Sequence, residues 1–331
     1  LHLRDAWPAG RRPGDWGGII LCGRGVNNKG TMQIEGGPRT THGGSDNADC
    51  SGALSYVRCE FAGYPFKEDQ EINAITFGSV GSATQIDHVQ VSYSNDDSYE
   101  WFGGAVNAKY LVSYHTWDDD FDTDNGFCGK VQFCLAYAIP ALPTPRRRTA
   151  SRATTTAKVL PLLLSPPASF SNVPSFGPVG QDAAFSNTSD YITAGDMNPK
   201  NGSKLGQFQS AMQVRRNSHL NCFNSVAMGF PVGLIVENDK GSQTQTAARG
   251  DVKIQNVYMA GMTVLGSDVN KSFEDGFATT ATRTASTSRR SPSLRPTSVD
   301  SFEQVFRCDR RSETLPAQQP ASQSELRSAL R

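Results

Sequence analysis

The feature that most constrains this chain is that it repeats itself. Two strand-like runs close on the same three residues, Val91-Ser92-Tyr93 and Val112-Ser113-Tyr114. The residues after each run repeat as well: Asp96-Asp97-Ser98-Tyr99-Glu100 is answered by Asp118-Asp119-Asp120-Phe121-Asp122, and Gly104 by Gly126. A unit of about 21–22 residues built from β-branched and aromatic strands cannot bury its apolar face alone and has to be stacked on copies of itself. Leucine-rich repeats share this period, but their Leu-x-x-Leu-x-Leu pattern is absent. The repeat therefore predicts a coiled stack of β rungs.

The strands expected from pattern are Leu54–Phe61, Ala74–Val80, Ile86–Tyr93, Lys109–Tyr114 and Lys130–Tyr137, broken by Gly, Asn and Asp. After a gap they resume at Met212–Arg216, Leu220–Met228, Val232–Glu237 and Val252–Leu265. Runs this apolar suit a parallel sheet buried on its inner face. The 31 glycines and 37% hydrophobic content agree with a turn-rich β protein. Thirty-two basic residues balance thirty-two acidic ones, so no net field points to a nucleic-acid partner or an anionic membrane. No apolar run is long enough for a transmembrane segment. The chain opens at Leu1, which leaves a signal peptide upstream an open matter. The cysteines, at 22, 50, 59, 128, 134, 222 and 308, form no CxxC pair, and their scatter predicts small core side chains rather than a zinc or disulfide framework.

Only the acidic repeat is dense enough to argue chemistry from. Rungs stack about 4.8 Å apart. The alignment sets Asp96 over Asp118, Asp97 over Asp119 and Glu100 over Asp122, with Asp120 and Asp124 beside them. Carboxylates held so close must bind a cation, share protons or splay into water. Hard oxygen ligands at this density suit Ca²⁺. Asp residues also serve as ordinary turn formers, and a catalytic use is a third reading. As a lyase the site would need calcium and a base such as Arg215 or Arg216; as a glycoside hydrolase it would need two carboxylates at a set separation. His88, His115 and His219 are isolated in sequence and read as packing or surface. Tyr99, Trp101, Phe102 and Trp117 near the acids could stack on sugar rings or fill the core.

An ordered set of motifs carries a resemblance. It comprises Gly14-Asp15-Trp16-Gly17-Gly18-Ile19-Ile20-Leu21, Ile34-Glu35-Gly36-Gly37, Glu71-Ile72-Asn73 before Thr76-Phe77-Gly78, and Val89-Gln90-Val91-Ser92-Tyr93. It continues through Glu100-Trp101-Phe102-Gly103-Gly104 and Asp118 to Gly126, then Arg215-Arg216-Asn217-Ser218 and Phe223-Asn224-Ser225. Together they resemble the pectin-lyase-like right-handed β-helix proteins of Bacteroidetes and related marine bacteria. The resemblance covers about 8–135 and 170–275. It implies an exported protein, often a lipoprotein, of unassigned molecular function.

Three segments depart from that pattern. Residues 138–169 turn Pro-, Arg-, Thr- and Leu-rich, and a linker is the plain reading of them. Read one base earlier, however, Thr149-Ala150-Ser151-Arg152-Ala153-Thr154-Thr155-Thr156 allows N-G-F-E-S-D-N-D, which resembles the family's motif at this place. Leu1 to Ala6 and Gln323 to Arg331, read from the second base, also allow family-like strings. Frame shifts in the coding sequence are thus expected.

The sequence predicts an all-β, right-handed parallel β-helix over 8–276. It is expected to be interrupted and irregular over 138–169, with a disordered tail over 277–331. The function expected is that of an exported or cell-surface protein without demonstrated catalysis, glycan-binding or structural, with a polysaccharide partner and Ca²⁺ at the acidic rungs. The alternative is a calcium-dependent polysaccharide lyase or glycoside hydrolase.

Overall fold

The computed structural model describes residues 10–36, 40–66, 72–138, 147–154, 167–177, 207–230, 232–236, 252–260 and 264–267. All lie within one compact unit, Leu1–Thr297. Every regular element among them is a strand: β1 (Ile19–Cys22), β2 (Met32–Gln33), β3 (Thr41–His42), β4 (Ala53–Glu60), β5 (Ile75–Gly78), β6 (Gln85–Ser92), β7 (Tyr99–Phe102), β8 (Ala108–Tyr114), β9 (Phe121–Asp124), β10 (Lys130–Gln132), β11 (Leu135–Tyr137), β12 (Arg147–Thr154), β13 (Ala168–Ser171), β14 (Pro174–Phe176), β15 (Gln207–Arg215), β16 (Leu220–Met228), β17 (Val232–Val236), β18 (Lys253–Ala260) and β19 (Val264–Ser267).

From β4 onward the chain alternates between two parallel sheets, with β10 and β11, and β13 and β14, entering the second sheet as consecutive pairs. One sheet runs β1-β5-β7-β9-β12-β15-β17-β19; the other holds β4, β6, β8, β10, β11, β13, β14, β16 and β18. Each circuit therefore contributes to each sheet and lands beside its predecessor, which is the right-handed parallel β-helix the repeat predicts. The two copies of the repeat stack in register, with Tyr99 beside Phe121, Glu100 beside Asp122 and Trp101 beside Thr123.

The second sheet is folded along its length. Tyr56, His88, Tyr110, Phe133, Asn172, Asn224 and Asn256 all take positive φ, between 49° and 57°. They occupy one corner of successive rungs, as the pairing of β4 with β6, β6 with β8, and β16 with β18 shows. A left-handed residue turns the strand without a loop, and Asn tolerates it better than most side chains. In β4, β6, β8, β16 and β18 the strand bends and continues. At Phe133 and Asn172 the bend divides it, giving β10 and β11, then β13 and β14.

The core lies between the sheets. Ile75, Phe77, Tyr99, Trp101 and Phe121 from the first sheet are all fully buried, and they meet Val89, Val91, Leu111 and Val131 from the second. The rings stack: Phe77 on Trp101 at 5.3 Å, Tyr99 on Phe121 at 5.5 Å and Trp101 on Phe127 at 5.4 Å between centroids. The Tyr99 hydroxyl donates to Val89 O at 2.8 Å, so its polar end is satisfied inside the coil. Cys59, Cys134 and Cys222 are buried thiols, and burial pushes them up to about 12, about 12 and about 11 respectively. They are core fillers, as their scatter predicts. No disulfide links the described cysteines.

Within the segment 138–169, set apart by its composition, Arg147–Thr154 is a strand paired in parallel with β9 and with β15. Residues 139–146 and 155–166 lie outside the described residues, as does the tail 277–331. The sequence leaves Tyr99, Trp101 and Phe102 open to a sugar-stacking reading, and all are buried, the first two wholly. Trp117 alone of that group is half-buried.

Candidate functional site

Strand alternation turns Tyr99, Trp101 and Phe121 inward, and the same alternation turns Glu100, Phe102, Asp122 and Asp124 away from the core. These outward residues are nevertheless buried. Part of the cover is the segment around β2 and β3, which lies across the outer face of the first sheet. His42 Nδ1 and Asn27 Nδ2 both reach Ser79 Oγ, at 2.8 and 2.7 Å. Asn28 N donates to Asn125 O at 3.0 Å, and Gly104 N to Val26 O at 2.7 Å. The cover also comes close at Gly78. A Cβ there would lie 2.7 Å from His42 Cγ and 2.8 Å from Ile34 Cδ1, so no larger residue fits without moving the hairpin. Burial and the nearby Lys29 charge push His42 down to about 4, leaving it neutral at physiological pH.

The turn leading into β7 and the turn leading into β9 are laced together by backbone. Ser98 N donates to Asp119 O and Trp117 N to Ser94 O, both at 2.9 Å. Asp119 N donates to Asp97 Oδ1 at 2.8 Å, which fixes Asp97 directly over Asp119 as the repeat requires. Thr116 Oγ1 donates to Asp96 O at 2.6 Å.

Two groups of carboxylates result, and they share Asp97. In each, the oxygens lie within 4.8 Å of one another: Asp96, Asp97 and Asp118 in the first, Asp97, Asp119 and Asp122 in the second. The second group is deeply buried, at 3%, 0% and 1% exposure, whereas Asp118 in the first is half-exposed beside Trp117. Burial, and then the neighbouring Asp119, Asp118, Asp96 and Asp122, hold the Asp97 carboxyl well above the usual carboxylate range. An anion here is disfavoured by both its surroundings and its neighbours. A divalent cation would remove both penalties, and every donor in the two groups is a hard carboxylate oxygen.

The remaining predicted ligands have separate roles. Asp120 accepts from Ser113 Oγ, which is itself 2.7 Å from Ser98 Oγ, so Asp120 belongs to a buried polar network. Glu100 accepts from Asn73 Nδ2. Asp124 accepts from Asn125 N at 2.6 Å and sits under the cover. Burial and Asp122 push Asp124 up to about 6, against the pull of Asn125 N–H, Lys29 and Arg216. Of the two arginines named as candidate bases, Arg216 is thus within electrostatic reach of the acids. His88 lies in a ring ladder between Tyr56 at 4.5 Å and Tyr110 at 4.6 Å, and His115 packs on Tyr114 at 3.6 Å. Both serve packing.

Sequence reasoning misses the cover. Asn27, Lys29 and His42 come from a Gly- and Asn-rich stretch that reads as loop, and nothing periodic links them to Ser79 or Asp124. Asn73 stands out as part of a motif, without its role at Glu100. A signal does exist for Ser113: a polar residue in the repeated Val-Ser-Tyr ending of a buried strand asks for a buried partner.

The fold and the site define a parallel β-helix with an acidic, largely buried pair of rungs on one face. The chain matches the pectate-lyase-like β-helix domain across residues 8–294, and it belongs to that family. No curated protein and no solved structure matches it. Among the described residues no helix is long and apolar enough to cross a membrane.

Proposed function

We propose that this is an exported, cell-surface β-helix protein whose acidic rungs hold Ca²⁺ and which engages polysaccharide without turning it over. The observation that carries the reading is the shared Asp97, placed within 4.8 Å of two further carboxylates on either side. Three carboxylates buried together are untenable as bare anions, and calcium at extracellular concentration is the simplest counter-charge. The resemblance of the sequence motifs to exported β-helix proteins supports export. The half-buried Trp117 and Asp118 form an edge of the site that solvent partly reaches, a suitable place for a sugar ring to meet both an aromatic face and a metal-bound carboxylate.

Burial argues for holding rather than turnover. A lyase or hydrolase has to bring a sugar to its carboxylates, and Asp119, Asp120 and Asp122 are at most 1% exposed. Calorimetry with calcium should show binding in the sub-millimolar to millimolar range, with the heat lost in the double variant Asp97→Ala/Asp119→Ala. Absence of heat and of any thermal shift with calcium returns these residues to the turn reading. Release of unsaturated or reducing sugars from polysaccharide would favour the enzymatic alternative.

A further inference from the structure

Strand β12 joins β9 to β15, and its register is informative. Arg152 pairs with Asp122 and Ala153 with Thr123 on one side. On the other side Ser151 pairs with Met212, Arg152 with Gln213, Ala153 with Val214 and Thr154 with Arg215. Four rows of the first sheet therefore run through this strand. Position 151 continues Ile75, Tyr99 and Phe121 toward Met212, a row of fully or nearly buried apolar side chains. Position 152 continues Thr76, Glu100 and Asp122 toward Gln213. Position 153 continues Phe77, Trp101 and Thr123 toward Val214, and position 154 continues Gly78, Phe102 and Asp124 toward Arg215. The neighbours thus ask for a large apolar residue at 151, which Ser151 does not supply, while at 152 an acceptor would suit Gln213 and a donor would suit Asp122.

The codons offer a different answer. When the frame moves by one base, each new codon takes its last two bases from the written residue and only its first base is open. With the codon choices that Ser and Arg permit, 149–156 can then read Asn-Gly-Phe-Glu-Ser-Asp-Asn-Asp, one of about four choices at each position. Its centre, Phe-Glu-Ser-Asp-Asn, is a conservative copy of this chain's own Phe121-Asp122-Thr123-Asp124-Asn125. The copy falls in register: its Phe lands at 151 behind Phe121, its Glu at 152 beside Asp122, its Ser at 153 beside Thr123 and its Asp at 154 behind Asp124. The strand pairing is a matter of backbone geometry, and the genetic code permits a string that fits it at each of these positions. A third observation agrees. Gln213 is 2% exposed and its Nε2 has no hydrogen-bond partner among the described residues, while its neighbour in register is position 152. A carboxylate there would accept that donor; the guanidinium of an Arg cannot.

We infer that the reading frame is displaced across 149–156 and that the gene specifies a third acidic rung there, with Phe, Glu, Ser and Asp at positions 151 to 154. The acidic face is then one rung longer than the chain shows, and it ends on Gln213 and Arg215 rather than on Arg152. The inference rests on register and codons and is independent of whether the acids hold calcium.

Resequencing the coding DNA decides the first half. The expected result is codons that read Phe-Glu-Ser-Asp at 151–154 one base out of frame, with a base gained or lost upstream of 149 and a compensating change before 168. Codons whose shifted reading gives any other string overturn the proposal. The second half is read on the full-length protein carrying Ser151→Phe, Arg152→Glu, Ala153→Ser and Thr154→Asp together. Measured at about pH 4, where the added carboxylates are protonated and their repulsion is removed, its melting temperature should rise by about 3 °C or more. An unchanged or lower value overturns the claim that this rung belongs in these rows. Ser151→Phe alone, which touches only the inward row, should keep part of the gain if the full variant expresses poorly, and a loss there counts against the proposal equally.

Discussion

Strands β7 and β9 carry two faces of opposite chemistry. On the inner face Tyr99, Trp101 and Phe121 stack ring on ring, with no exposure and with the Tyr99 hydroxyl satisfied. On the outer face Glu100, Asp122 and Asp124 are nearly as buried, yet they bring like charges together. The inner face is what any stacked coil of this kind needs in order to exist. The outer face works against folding unless something compensates it. A feature that the fold must tolerate, rather than one it exploits, is the better guide to function.

The contrast can be broken or sharpened by experiment. The largest effect belongs to the inner face. Trp101→Ala should cost about 3–5 kcal/mol in chemical denaturation, and the loss should be the same at acid and neutral pH and with or without calcium. Sensitivity to either would mean that the two faces are not separable.

The outer face should respond to pH instead. Asp124 is raised to about 6 from 3.8, so the folded state holds its proton more tightly than the unfolded chain does. Its contribution is fully present below about pH 4. It is lost as pH rises through about 6, amounting to about 3 kcal/mol for a shift of this size. Asp97, raised by burial and by Asp119, adds in the same direction. Metal-free protein should therefore lose stability between about pH 4 and 7, and Asp124→Asn should flatten that slope. A stability that climbs with pH over this window would contradict the burial of these acids.

Calcium should act next in size. At about a hundred times its dissociation constant it should restore about 2–3 kcal/mol at neutral pH, and Asp97→Ala/Asp119→Ala should abolish the gain. That double variant should also be no less stable than the parent without metal, because it removes repulsion as well as ligands. The smallest effect is expected at the exposed corner. Tyr110→Asn places there the residue type that Asn172, Asn224 and Asn256 already supply on later rungs, and it should change stability by no more than about 0.5 kcal/mol.

The repeat makes the inner face legible. Leu220–Met228 is a strand at its expected bounds, and Gln85–Ser92 and Ala53–Glu60 differ from expectation by one residue at each end. The stacking of Asp97 over Asp119 is legible too, because the repeat fixes register. Three things are not. Glu100, Asp122 and Asp124 lie on short strands rather than in turns, since β7 and β9 are buried on both faces and show no alternation of burial to read. The cover over the acids depends on contacts such as His42 with Ser79, whose partners share no local pattern. The long second-sheet strands hide a corner within them, because a single left-handed residue leaves no gap in hydrophobicity.

The regular alternation between two sheets has one more consequence. Apart from the cover around β2 and β3, each circuit pairs only with the circuit before it and the circuit after it, so the stack is closer to a row of coupled neighbours than to a web of mutual contacts. In such a row, strength is not shared widely. A poor circuit in the middle weakens two junctions and creates two new fraying ends, whereas the same fault at a terminus weakens one. Strand β12 occupies such a middle place, between β9 and β15. How well that single circuit is made therefore sets whether the protein melts as one body or as two.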